Sequence, residues 1–433
     1  MKPRDDASLP HIVVVGAGFA GLRFIRSFPE SLARITVIDR QNHHLFQPLL
    51  YQVAAAGLAA VDIAQPIRAV LRDQANVAVI MAEVTDIDLA GKRIRHSRGE
   101  LTYDYLVIGA GGVTNYFGHP EWEQFAPGLK SLDDALRIRR LVLNSLEHAE
   151  TESDPVKREA AMTVVVVGGG PTGVELAGTF AELTRTVLHK DFDHIDPSKA
   201  RVILIEGSDH ILSPFPPELR ESALKQLQAL GVEVRLNRRV EAIREGELVA
   251  SGETIRADNI IWGAGVGGEP LAKKLVGVEL DRGGRIKVLP DCSVPGYPEV
   301  FAAGDIVSLV DAKGVPVPGV AQGALQMGAH IAGVIERELR GEKYAPVGRK
   351  AFAYHDKGTM ATIGRSAAVA LIKGAKLSGF PAWIAWLGVH LLFLVGFRNR
   401  ISVLMQWTYS YFTYKRGARI ITGVSGERSA GSA

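Results

Sequence analysis

The sequence predicts an α/β fold in which two domains are built on parallel β-sheets and a separate region follows at the C-terminus. Two observations predict the sheets. A five-residue apolar run leads directly into a glycine-rich turn at residues 11–21, and the same arrangement recurs at residues 163–173. Apolar runs of this length are typical of parallel strands buried on both faces. A third observation sets the C-terminal region apart, since residues 377–397 contain no Asp, Glu, Lys or Arg.

Composition and charge narrow the functional classes. The chain has 433 residues, of which 46 are Gly, and its single cysteine is Cys292. One cysteine excludes a disulfide framework, a cysteine-based metal centre and a redox-active cysteine pair within this chain. We therefore expect Cys292 to be a small structural residue, and we expect no metal. The net charge of +3 hides an asymmetry, because residues 361–433 contain nine Lys and Arg but one acidic residue. Such a basic tail favours an anionic partner, either a membrane surface or nucleic acid.

The first glycine-rich turn, Gly16-Ala-Gly18-Phe-Ala-Gly21, lies between a predicted strand and a predicted helix at residues 22–27. In this context Gly16 permits the tight turn, Gly18 lets the backbone approach a pyrophosphate, and Gly21 allows close packing of helix on strand. The next apolar run ends at Asp39, whose carboxylate can accept the ribose hydroxyls of an adenosine. Strand, turn, helix, strand and terminal acid together predict a Rossmann-like dinucleotide site.

The second turn, Gly168-Gly-Gly170-Pro-Thr-Gly173, begins 152 residues after the first and lies in the same context. A helix is predicted at residues 174–183, and the following strand ends at Glu206. A carboxylate at this position repels the 2′-phosphate of NADPH, so NADH is the preferred coenzyme. Two fingerprints predict two dinucleotides, of which one is a resident flavin and the other an exchanging nicotinamide.

Further strand–turn segments support a flavin in the first unit. One ends at Gly111 and another at Gly304, and Asp305 stands where a carboxylate can hydrogen-bond the ribityl chain of FAD. In the second unit the corresponding segment ends at Gly265.

Because Asp305 lies beyond the second fingerprint, the first domain is interrupted by the second. We assign residues 1–115 and 275–345 to an FAD-binding domain and residues 116–274 to an NADH-binding domain. Residues 346–433 are assigned to a C-terminal domain with amphipathic, membrane-anchoring helices.

These motifs resemble those of the two-dinucleotide-binding-domain flavoproteins and, among them, the type II NADH:quinone oxidoreductases. Those enzymes are single-subunit NADH dehydrogenases of the membrane surface. The similarity covers almost the whole chain, and its specific segments are residues 42–54, 168–178, 300–305 and 321–326, together with the apolar C-terminal stretch. The resemblance implies FAD and NADH as cofactors. It also implies oxidation of NADH without proton pumping and two-electron reduction of a membrane quinone.

The resemblance further implies three residues that act in the reaction. Gln322 and Gln326 belong to the A-Q-x-A-x-Q pattern, which the family places on a helix near the flavin ring, where both amides can contact a quinone headgroup. The alternative is a solvated helix face. Glu175 matches the family's NADH-side glutamate, and its alternative role is stabilisation by the helix dipole. The pair Gly111-Gly112 departs from related chains and leaves the contact at the flavin edge open.

The C-terminal apolar segment at residues 377–397 is long enough to span a bilayer. Pro381, three glycines and His390 interrupt it, and its aromatic residues and flanking basic residues favour helices that lie on the membrane surface. A second aromatic stretch at residues 401–414 repeats the pattern. A spanning helix and a buried or dimer-forming segment are the alternatives, so a homodimer stays open.

We expect the anionic lipid surface to be the partner of this region, because its basic residues alternate with long apolar runs. Nucleic acid is not expected. The corresponding location is peripheral and monotopic, on the cytoplasmic side of the cell inner membrane.

Two other functions are compatible with the glycine-rich turns. A soluble NADH-dependent flavoprotein reductase of the ferredoxin or diaphorase type would give no reason for the apolar, basic tail. A flavin-bearing redox sensor would bind FAD but turn over NADH negligibly.

Overall fold

The computed structural model describes residues 8–188, 191–341, 348–413 and 418–421. Three basic residues of the C-terminal region, Lys415, Arg416 and Arg428, lie outside these ranges.

The described residues form strands and helices that alternate along most of the chain. The strands are β1 (His11–Val15), β2 (Arg34–Asp39), β3 (His43–Leu45), β4 (Ala64–Pro66), β5 (Val77–Met81), β6 (Val84–Asp88), β7 (Arg93–His96), β8 (Gly99–Thr102), β9 (Tyr105–Ile108), β10 (Gly112–Thr114), β11 (Thr163–Val167), β12 (Arg201–Ile205), β13 (Glu233–Arg235), β14 (Val240–Arg244), β15 (Glu247–Ala250), β16 (Glu253–Arg256), β17 (Asn259–Trp262), β18 (Val266–Gly268), β19 (Ile286–Lys287), β20 (Ser293–Val294), β21 (Tyr297–Ala302), β22 (Val307–Ser308), β23 (Thr359–Gly364), β24 (Ala367–Ile372) and β25 (Ala375–Ser378). The α-helices are α1 (Phe19–Ser27), α2 (Leu50–Ala54), α3 (Ala60–Ile63), α4 (Ile67–Val70), α5 (Leu132–Thr151), α6 (Pro155–Ala161), α7 (Pro171–Glu182), α8 (Pro217–Ala229), α9 (Ala321–Leu339), α10 (Phe380–Phe393) and α11 (Phe397–Thr413).

The chain divides into two compact units, and the first comprises the residues up to Leu45, Ala64–Asn115 and Val266–Asp356. Its six-stranded sheet has the order β20-β21-β9-β1-β2-β5, and every pair except β20–β21 is parallel. All five residues of β1 are buried, as expected for a central strand with helices on both faces. Helices α1 and α9 approach closely, because a Cβ added at Gly328 would lie 2.3 Å from the Ala20 carbonyl oxygen.

The second unit comprises Phe46–Ile63, Tyr116–Gly265 and the residues from Lys357 onward. Its parallel sheet has the order β13-β12-β11-β17. Both units place a three-stranded antiparallel sheet, β6-β7-β8 or β14-β15-β16, before the parallel strand that returns to pair with the first strand, β9 with β1 or β17 with β11. The two units thus repeat one doubly wound layout, and the predicted α/β class with two Rossmann-like units is confirmed.

The C-terminal residues of the second unit form an antiparallel sheet, β23-β24-β25, followed by α10 and α11. Strand β23 packs on α7 so closely that a Cβ added at Gly178 would lie 1.7 Å from the Ile363 carbonyl oxygen. Helix α10 covers β24 and buries Ala382 and Trp386.

The unit boundaries differ from the predicted domain boundaries at three places. Residues 46–63 leave the first unit, because α2 packs on α5 and α3 packs on α11. The break predicted at 274/275 falls at 265/266, because β18 pairs with β10 and so belongs to the first unit. The C-terminal residues from Lys357 onward group with the second unit, where β23 packs on α7, whereas the predicted C-terminal domain begins at residue 346.

Candidate active site

The first glycine-rich turn joins β1 to α1 and uses its three glycines for different reasons. Gly16 has a φ of +96°, and a Cβ there would lie 2.4 Å from the Gly109 carbonyl oxygen. A Cβ at Gly21 would lie 2.0 Å from the Gly16 carbonyl oxygen. These two positions exclude a side chain because backbone approaches backbone, as the motif predicts.

Gly18 is different, because the fold itself would tolerate a side chain there. Its φ is −71°, and the nearest heavy atom to an added Cβ is the Gly109 carbonyl oxygen at 4.0 Å. The space above Gly18 is therefore open. The N-terminus of α1 has no side-chain cap, so its backbone N–H groups are left for an anionic partner. An open cradle at an uncapped helix N-terminus fits the pyrophosphate of a dinucleotide.

Asp39 stands at the end of β2 and holds the turn. Its Oδ2 accepts a hydrogen bond from the Ala17 N–H at 2.7 Å, and its Oδ1 accepts one from the Gln41 N–H at 2.7 Å. Burial raises the pKa of Asp39, and these two backbone hydrogen bonds oppose the rise. Each carboxylate oxygen keeps a second lone pair, so the ribose role predicted for Asp39 is compatible with this geometry.

The other predicted flavin residues lie at the carboxyl ends of neighbouring strands. Gly111 follows β9 with a φ of +81°, and Gly304 follows β21 with a φ of +86°. A Cβ at Gly112 would lie 3.0 Å from the Asp305 Cβ, so these strand ends meet. In open parallel sheets, ligands bind beyond these carboxyl ends.

The second turn, between β11 and α7, repeats the geometry of the first. Gly168 has a φ of +107° with a Cβ position 2.8 Å from the Ala264 nitrogen, and a Cβ at Gly173 would lie 1.8 Å from the Gly168 carbonyl oxygen. Gly170 has a φ of −72°, and an added Cβ would meet no heavy atom within 4 Å. Gly265, with a φ of +73°, follows the neighbouring strand β17. An open glycine at an uncapped helix N-terminus again fits a pyrophosphate.

Glu206 follows β12 in the second unit, in the position that Asp39 has at the end of β2 in the first. Its Oε2 accepts a hydrogen bond from the Gly169 N–H at 2.6 Å, and its Oε1 accepts hydrogen bonds from the N–H and hydroxyl of Ser208 at 2.8 and 2.9 Å. Sequence reasoning missed Ser208, although a hydroxyl two residues after a strand-end acid is a recognisable local pattern. Three hydrogen bonds thus fix the carboxylate beside the second turn.

Glu175 lies on α7, half-buried, and its carboxyl group is hydrogen-bonded by the backbone of Thr362 in β23. Burial raises the pKa of Glu175 well above its usual range, and the Thr362 hydrogen bond opposes this effect. Its backbone partner could not be predicted, because 187 positions separate the two residues in the chain.

The two glutamines of α9 have different environments. The Gln326 amide pairs with the backbone of His355, donating from Nε2 to its carbonyl oxygen at 3.0 Å and accepting from its N–H at 2.9 Å. Gln322 is half-buried, and its side chain forms no hydrogen bond within the described ranges. The structure therefore leaves the amide of Gln322 available and commits that of Gln326 to the chain segment after α9.

The polar face of α11 is fastened to residues 46–63. The buried carboxylate of Asp62 accepts hydrogen bonds from Ser402 Oγ and Gln406 Nε2, both at 2.8 Å. Trp407 Nε1 donates to Gln52 Oε1 at 2.8 Å. The C-terminal helices also expose large apolar side chains: Phe380, Ile384, Leu392, Phe393, Ile401, Leu404, Met405, Tyr409 and Phe412. Across the described ranges, no helix has both the length and the apolar character needed to cross a bilayer.

Comparison with known protein families finds two matching stretches of the chain. Residues 10–328 match the pyridine nucleotide-disulphide oxidoreductase family, and residues 356–415 match the NDH2 C-terminal domain. The single cysteine, Cys292, is buried and unpaired, so the chain lacks the cysteine pair of a disulfide reductase.

Two curated relatives from Mycobacterium tuberculosis are similar over nearly their whole length. The type II NADH:quinone oxidoreductase Ndh is 44% identical over 95% of this chain and 90% of its own. The type II NADH:quinone oxidoreductase NdhA is 41% identical over 97% of this chain and 91% of its own. The solved structure of NDH2 from Plasmodium falciparum in complex with NADH has the same fold, with a TM-score of 0.86, 20% identity, and coverage of 96% of this chain and all of that one. The duplicated turn, the C-terminal domain and the level of identity place this chain in the family of type II NADH:quinone oxidoreductases.

Proposed function

We propose that this chain binds FAD at the turn of its first unit and NADH at the turn of its second, and that it reduces a membrane quinone without pumping protons. The observation that carries the proposal is the repeated turn. In each unit an open glycine, Gly18 or Gly170, lies at an uncapped helix N-terminus beside an acid that is hydrogen-bonded to the turn. Bound FAD supplies the redox chemistry, which is hydride acceptance from NADH and two-electron transfer to the quinone.

The residues of the chain bind and orient the reactants. Asp39 and Asp305 would hold the ribose and ribityl hydroxyls of FAD, and Glu206 would hold the adenosine ribose of NADH. Glu206 would also exclude NADPH, because its carboxylate would face the 2′-phosphate. Glu175, whose carboxyl pKa is raised by burial, would lie on the nicotinamide side of the flavin.

For the quinone we assign different roles to the two glutamines. Gln322 would donate its amide N–H to a quinone carbonyl, because this amide has no other partner within the described ranges. Gln326 would act indirectly by holding the segment that contains His355 against α9. We therefore propose that Gln322 contacts the quinone and that Gln326 does not.

The C-terminal helices would lie on an anionic bilayer surface at the cytoplasmic side of the inner membrane. Their exposed apolar residues support this attachment, since apolar burial at the interface is independent of salt. The electrostatic contribution of Lys376 is smaller than the sequence suggests, because Lys376 pairs with Glu218 at 2.9 Å. Arg400 donates to the carbonyl oxygens of Leu394 and Leu392 at the end of α10 and keeps its positive charge. High salt should therefore release only part of the protein.

The direct test is steady-state NADH oxidation by the purified full-length protein, with and without a short-chain quinone. We expect one non-covalent FAD per chain and a rate that depends on the quinone. A protein that holds FAD but does not respond to quinone would instead be a redox sensor, and one that reduces only soluble acceptors would be a reductase of the diaphorase type. Light scattering of the same sample distinguishes a monomer from a homodimer.

A further inference from the structure

The peptide groups of Ala17, between Gly16 and Gly18, are held from both sides. The Ala17 N–H donates to Asp39 Oδ2 at 2.7 Å, and the Ala17 carbonyl oxygen accepts a hydrogen bond from His44 Nδ1 at 3.0 Å. Ala17 and His44 are both buried. The conformation of the residue that precedes the open glycine is thus fixed by two side chains from different parts of the chain.

His44 itself is held in one orientation and one protonation state. Its backbone pairs with Gln65 in the β3–β4 ladder, and its ring meets that of Phe19 edge-on, with centroids 5.2 Å apart. A carbonyl oxygen can only accept, so Nδ1 carries the proton. Burial lowers the pKa of His44 to about 4, an effect that Arg26 and His43 reinforce and the bond to Ala17 opposes. The ring is therefore a neutral donor at pH 7.

The second turn provides an internal comparison. Gly169 occupies the position of Ala17, and its N–H donates to Glu206 Oε2 at 2.6 Å. Its carbonyl oxygen accepts a hydrogen bond from the backbone N–H of Leu212 at 2.7 Å. Both turns thus have the N–H held by a strand-end acid and the carbonyl held by a donor from outside the turn. In the second turn that donor is backbone, whereas in the first it is a side chain.

We propose that His44 is a positioning residue of the FAD site, which together with Asp39 fixes the Ala17 peptide and keeps the cradle above Gly18 open before FAD arrives. A turn that is already in its binding conformation spares FAD the cost of ordering it. Without the His44 donor, the buried Ala17 carbonyl loses its partner, and the turn relaxes toward other conformations in the absence of FAD. The inference rests on the proposed FAD site and concerns affinity for FAD, not the redox reaction.

The test measures the dissociation constant of FAD by titrating full-length apoprotein and following flavin fluorescence, with the melting temperature recorded in parallel. His44→Phe keeps a planar ring but removes the donor, and we expect the dissociation constant to rise by about 3- to 30-fold. His44→Asn keeps an N–H close to the Nδ1 position and should stay within about threefold of wild type. Should the Phe variant not fold, His44→Gln, whose amide is displaced by one bond, is measured in its place with the same expected rise.

The matched control is His11→Phe. His11 is a buried histidine of the same unit, and its Nε2 is 2.8 Å from Thr36 Oγ1, in a contact that does not involve the turn. The His11→Phe variant should have a lower melting temperature but an unchanged dissociation constant of FAD. The positioning role would be overturned if His44→Phe left the dissociation constant of FAD unchanged, as the control does. It would also be overturned if His44→Asn bound FAD as weakly as His44→Phe.

A Gly18→Val variant separates this outcome from failure of the proposed site. If Gly18→Val abolishes FAD binding and His44→Phe does not weaken it, the site stands and the inference about His44 is wrong. If neither variant affects FAD, the site itself is elsewhere, and the proposed function of the first turn fails with it.

Discussion

Substitution of Gly170 by valine tests the assignment of the second turn to NADH. The fold should accept the new side chain, because the φ of Gly170 is −72° and an added Cβ meets no heavy atom within 4 Å. The valine methyl groups would then occupy the space that we assign to the pyrophosphate. The variant is therefore expected to fold normally and to lose affinity for NADH specifically.

The magnitude follows from the contacts that the side chain would displace. A hydrogen bond from a backbone N–H to a charged group contributes about 1.5–3 kcal/mol. Since about 1.4 kcal/mol corresponds to a tenfold change in affinity, loss of one such bond raises the KM for NADH about 10- to 150-fold. The assay is steady-state NADH oxidation at saturating short-chain quinone, together with the FAD content and the melting temperature of the variant.

Gly18→Val is the matched variant in the other unit, where the Cβ position is also open. It should lose FAD, whereas Gly170→Val should retain one FAD per chain. A KM for NADH within about threefold of wild type in Gly170→Val would refute the assignment of the pyrophosphate to this turn. Loss of the folded state in that variant would refute the argument that the space is open.

Five further outcomes are expected. Glu206→Gln should reduce the preference for NADH over NADPH, measured as the ratio of kcat/KM values, whereas an unchanged ratio would contradict the charge argument. Gln322→Ala should raise the quinone KM by about 2- to 12-fold without slowing flavin reduction by NADH in stopped flow. Gln326→Ala should instead lower the melting temperature, because it removes both hydrogen bonds to the His355 backbone. Leu392→Glu, at a side chain that is 70% exposed, should weaken flotation with anionic vesicles while activity toward a short-chain quinone persists. Finally, the raised pKa of Glu175 means that the folded state binds its proton more tightly than the unfolded chain. This contribution to stability is full below the ordinary carboxyl pKa and is lost as pH rises through the raised one. In a plot of melting temperature against pH, Glu175→Gln should therefore remove the decline between these two pKa values.

The α/β class and the positions of both glycine-rich turns could be predicted from the sequence alone. These features are local, because the spacing of Gly16, Gly18 and Gly21 reflects backbone constraints within a few residues of one strand and one helix. The strand-end acids Asp39 and Glu206 follow from the same local pattern. For this reason the family resemblance could be recognised from short segments, and it is confirmed by the relatives.

Only the tertiary structure shows which polar side chains already have hydrogen-bond or ion-pair partners. Gln322 and Gln326 are equivalent in the sequence pattern, yet only Gln326 is bound to the backbone of His355, which lies 29 positions away. Lys376 looks like a charge available to lipid until Glu218 is found beside it. Likewise, nothing in the sequence near His44 indicates that its ring holds the Ala17 carbonyl.

The unit boundaries were also outside the reach of the sequence. Residues 46–63 lie in the chain between two stretches of the first unit but pack with α5 and α11 of the second unit. The hydrogen bonds that Asp62 accepts from Ser402 and Gln406 span about 340 positions, and no periodicity or motif encodes a contact over that separation. Local backbone requirements are written in consecutive residues, whereas the pairing of distant side chains is settled only when the whole chain has packed and each buried polar group has found a partner.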